Sequence, residues 1–75
     1  MGYILTEESR NWCQSMIGTH KDQIANASRS LEYWIQSKEN GKERPEVADI
    51  MIDFEQNWIR ICQEIISQYE KALQG

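Results

Sequence analysis

The stretch from Pro45 to Leu73 carries two apolar stripes at helical spacing, and one partner helix can cover only one of them. Val47, Met51, Phe54, Trp58, Ile61, Ile65 and Ala72 make the first, stepping by four and three until Gln68 interrupts it. Ile59, Cys62, Ile66, Tyr69 and Leu73 make the second in the same rhythm. Residues so spaced stack on one side of a 3.6-residue turn, so these are two faces of a single helix.

A matching seam lies upstream at Cys13, Ile17, His20, Ile24, Ala27, Leu31 and Trp34. Thr6 suits a helix N-cap, and Glu7 and Glu8 follow in the first turn. Asn40-Gly41 supplies a left-handed C-terminal cap, and Pro45 pre-sets the opening turn of the next helix. The spacing therefore predicts one domain over residues 1–75, with a helix over about 6–39, a turn at 40–44 and a helix over about 45–74. Gly18 is the weak point of the first helix, and Thr19-His20-Lys21-Asp22 resembles a capping box. A break there is the alternative, with residues 7–17 folding back to make a three-helix bundle.

A turn centred near Lys42 is short enough to force antiparallel neighbours, and residues at one level then have numbers summing to about 85. On that register Ala27 faces Trp58 and Leu31 faces Phe54, so the first stripe is expected in the seam. Towards the open end His20 and Gln68 come within one turn of each other and are expected to form a buried polar pair that fixes register. The second stripe is then left over. With Trp12 and Met16 nearby, the expected interface is Trp12, Met16, Ile59, Cys62, Ile66, Tyr69 and Leu73. The expected fold class is all-α, an antiparallel helical hairpin that hides this patch by pairing into a homodimeric four-helix bundle.

Composition narrows the function. With 12 acids against 8 bases and a net charge of −4, the chain has no gathered basic surface for nucleic acid. No apolar run reaches the length of a membrane span, and Met1 to Leu5 is too short for a signal-peptide core. Free thiols at Cys13 and Cys62 in a reducing, cytoplasmic setting are the expectation. Met1 to Thr6 fits the permissive N-myristoylation pattern, yet the basic cluster that usually adds a second anchor is missing.

The sequence lacks the parts of most catalytic sites. His20 is the single histidine, set in an apolar seam two turns from Cys13, and no metal-ligand spacing or phosphate-cradling glycine loop is present. The expectation is a non-enzymatic protein without cofactor. It would act by protein–protein interaction, as a regulator, adaptor or inhibitor that associates with itself and docks on another protein. The alternative is a bundle that binds a small molecule or nucleotide in a pocket between subunits, around His20, Gln68 and Trp58.

Overall fold

The computed structural model describes residues 5–74. Gly2, the acceptor in the myristoylation pattern, lies outside the described residues. Two helices, α1 (Glu7–Glu39) and α2 (Pro45–Gln74), pack against each other as an antiparallel hairpin. The molecule is a rod of 54 × 19 × 12 Å.

Local chemistry explains the ends. Thr6 is extended, and its Oγ1 accepts the Ser9 amide at 3.1 Å, satisfying one of the free N–H groups of the first turn. At the other end Gly41 takes φ = 71°, the left-handed conformation that costs glycine least. The Lys42 amide then donates to Ser37 O at 2.9 Å and the Gly41 amide to Lys38 O at 3.3 Å. That pair of crossed bonds is the Schellman arrangement, and it stops α1. Ala48 N–H donates back to Arg44 O at 3.0 Å, which starts α2 with Pro45 in its first turn, where a missing N–H is harmless. Across the turn Lys38 Nζ meets Asp49 Oδ1 at 2.6 Å, an exposed pair that contributes about 1 kcal/mol at most.

Helix α1 runs through Gly18 unbroken, so residues 7–17 do not fold back and the three-helix alternative is not adopted. Its inward face is the seam read from the sequence: Cys13, His20 and Ala27 are buried, and Ile17, Ile24, Leu31 and Trp34 are half-buried.

Helix α2 corrects the expectation. The face turned to α1 is Ala48, Ile52, Glu55, Ile59, Cys62, Ile66, Tyr69 and Leu73, an alternation of four and three along the whole helix. Each of these residues is buried or half-buried, and Ala48 and Cys62 have no exposed surface at all. The first stripe lies on the flank of this contact: Val47, Phe54 and Ile61 are exposed, and Met51, Trp58 and Ile65 are half-buried. The physical reason is volume. Two helices whose axes lie 8–10 Å apart leave room at the contact only for modest side chains. The positions buried most deeply are correspondingly small, namely Ala27, Ser37, Ala48 and Cys62. Phe54 and Trp58 at the centre would hold the helices apart, so they are turned to the flank.

Candidate functional site

The rotation of α2 redistributes the expected interface. Cys62 and Ile66 are buried inside the hairpin, and Ile59, Tyr69 and Leu73 are half-buried on the same seam. They are packed against α1 and do not form an uncovered patch. Trp12 stays 60% exposed on α1 and Met16 is half-buried, so the seven residues do not make one surface.

The expected polar pair is also rearranged. His20 is buried, but its ring faces Tyr69 with centroids 6.4 Å apart, and Gln68 is exposed. One residue is about 100° of helix, so placing Tyr69 in the seam carries Gln68 out of it. One polar atom of His20 is met locally, since Nδ1 lies 2.7 Å from Met16 O one turn earlier on its own helix.

Two features remain as candidates. The first is the outer face of α2, where Val47, Ile50, Phe54 and Ile61 recur at helical spacing with Ile50 68% and Phe54 59% exposed. The second is a recess of about 360 Å³ between the helices, lined by Gln23, Asn26, Ala27, Ser30, Phe54, Glu55 and Trp58. It forms because Ala27 and Ser30 on α1 are too small to fill the space opposite two aromatic rings. Trp58 thus does line a cavity, though within one hairpin, and His20 and Gln68 take no part in it.

Gln23, Asn26, Ser30 and Glu55 are members of this site that sequence reading missed, and Glu55 is the one with a signal that could have found it. Stepping back from Ile59 by four and three reaches Glu55, Ile52 and Ala48, and the acid in that series hid the longer repeat. A little further along the seam the Cys62 thiol lies 3.8 Å from Gln23 Oε1, and burial pushes that thiol up from its usual range.

Among the described residues no three of His, Cys, Asp or Glu gather where they could hold a metal ion. No described helix is long and apolar enough to cross a membrane. Compared with known proteins, the chain matches no family model, no curated protein and no solved structure at a significant level.

Proposed function

We propose that the protein is non-enzymatic and acts by protein–protein interaction, first with a second copy of itself in a homodimeric four-helix bundle. The observation that supports this reading is the outer face of α2, where Val47, Ile50, Phe54 and Ile61 stand in solvent. Among the described residues the deeply buried apolar ones are Cys13, Ala27, Ala48, Cys62 and Ile66, a small core for a chain of this length. Pairing two hairpins across their outer faces covers the bulky side chains, and a two-fold axis closes the assembly without an open end. In that state the protein serves as a regulator, adaptor or inhibitor of another protein. Its scattered bases and acidic balance speak against nucleic acid as the partner. The two free thiols accord with a reducing, cytoplasmic setting.

Light scattering at several concentrations tests the pairing. The wild-type chain is expected at twice the monomer mass of 8.9 kDa. The double variant Ile50→Glu, Ile61→Glu is expected at the monomer mass with its helical circular dichroism retained. A wild-type protein that stays monomeric at the highest concentration would overturn the reading.

A further inference from the structure

Glu55 is the only charged residue on the α2 seam, and only 8% of its surface is exposed. Among the described residues no hydrogen bond reaches its carboxylate, and the ion pairs formed are Lys38 with Asp49 and Arg60 with Glu64. It is not sealed away either. No side-chain oxygen or nitrogen among the described residues is both fully enclosed and unpartnered, so the carboxylate oxygens keep some contact with solvent, and Glu55 is one of the residues that line the recess. The α1 residues across that recess, Gln23, Asn26, Ala27 and Ser30, carry no charge. The neighbouring Arg29 donates its guanidinium to Asn26 Oδ1 instead. Taking a carboxylate out of water without a counter-charge is costly, and a helix seam offers cheaper residues for the same position.

The geometry points to a binding site for an organic cation, in which the recess takes an alkylammonium or guanidinium head against Glu55 with Phe54 and Trp58 as its walls. Each part of the lining suits that chemistry. The carboxylate supplies the counter-charge and accepts charge-assisted N–H bonds. Ser30 Oγ accepts a further N–H donor, and Gln23 Oε1 and Asn26 Oδ1, which already accept from the Cys62 thiol and the Arg29 guanidinium, each keep a second lone pair for the ligand. Aromatic faces attract cations, tryptophan most strongly. The net charge of −4 draws positive ligands towards the chain and repels anions. A neutral apolar ligand would leave Glu55 uncompensated. A bare metal ion requires several oxygen ligands at once, whereas Glu55 is the single carboxylate in the lining. The volume of about 360 Å³ lies at the low end of small-ligand pockets, which suits a side-chain-sized head. The head arrives either on a free amine or on a lysine or arginine of another protein. The lining comes from one hairpin, and because Phe54 also stands on the face proposed for pairing, the titration is run on wild type and on the Ile50→Glu, Ile61→Glu variant, so that pairing over the recess and absence of a site are told apart.

Isotope-labelled protein titrated with n-butylammonium, n-butylguanidinium and a short neutral peptide bearing one arginine tests this, with n-butylurea as the uncharged control at constant ionic strength. The expected result is saturable movement of the Trp58 indole N–H and the Gln23 and Asn26 side-chain amides. Affinity for a cation should exceed that for the urea by about tenfold, as one charge-assisted contact implies. Glu55→Gln keeps the shape and is expected to lose that preference, and Trp58→Leu to weaken cation binding several-fold, with circular dichroism confirming that both stay helical. Tighter capture of the free amine or of the peptide supports the same site and assigns the head to a metabolite or to a protein. Shifts that never saturate, equal affinity for cation and urea, or a folded Glu55→Gln variant that binds cations undiminished would overturn the assignment.

Discussion

The Cys62 thiol lies 3.8 Å from Gln23 Oε1, joining the two helices at a point where α2 has no exposed surface. Burial raises the thiol above its ordinary value of 9.0, so the folded chain holds this proton more tightly than the unfolded chain does. The resulting stability is fully present below pH 9.0 and is lost as pH rises from there through the folded value. Urea midpoints are therefore expected to decline above pH 9.0, and part of that decline should vanish in Cys62→Ala. Identical alkaline profiles for the two proteins would count against the assignment.

Ala48 has no accessible surface, and its methyl marks where α2 approaches α1 near the turn. Ala48→Leu forces three further carbons into this contact and is expected to destabilise the hairpin by about 1–3 kcal/mol in urea melts. Ala25→Leu makes the same chemical change on an exposed turn of α1 and should stay within about 0.5 kcal/mol of wild type.

Gly18 and Gly41 separate two effects of adding a methyl group. A Cβ at Gly18 meets nothing within 4 Å and sits in helical backbone, so Gly18→Ala is expected to stabilise by up to about 1 kcal/mol. At Gly41 there is equal space, but φ is +71°, so Gly41→Ala is expected to destabilise by about 1 kcal/mol. Thermal melts that moved both variants in the same direction would contradict this account of the turn.

His20 Nδ1 lies 2.7 Å from Met16 O, and a carbonyl oxygen only accepts. The neutral ring must then carry its proton on Nδ1, the rarer tautomer of free histidine. Long-range nitrogen–proton spectra recorded on the neutral ring distinguish the two forms, and a proton found on Nε2 would refute the contact.

The two helices and their antiparallel packing follow from signals that act locally. The Asn40-Gly41 cap, Pro45 and the four-three rhythm each specify backbone over a few residues, and the α1 seam is continuous apart from Gly18. The rotation of α2 about its axis was not legible in the same way. Its two stripes are offset by one residue and are nearly equal in apolar content, so hydrophobicity does not rank them. Side-chain size does. The stripe that packs inward has Ala48 and Cys62 at its deepest points, while the one left outside has Phe54 and Trp58. The recess was hidden for a related reason, because Glu55 reads as a solvated charge until its neighbours at Ile52 and Ala48 are seen to belong to the seam.

The elongated outline bears on how the molecule travels through a sizing column. A Cα radius of gyration of 16.9 Å compares with about 11 Å for a compact chain of this length. One hairpin alone will therefore elute ahead of spherical standards of its mass and tumble slowly in fluorescence depolarisation. On a globular calibration it will imitate a pair.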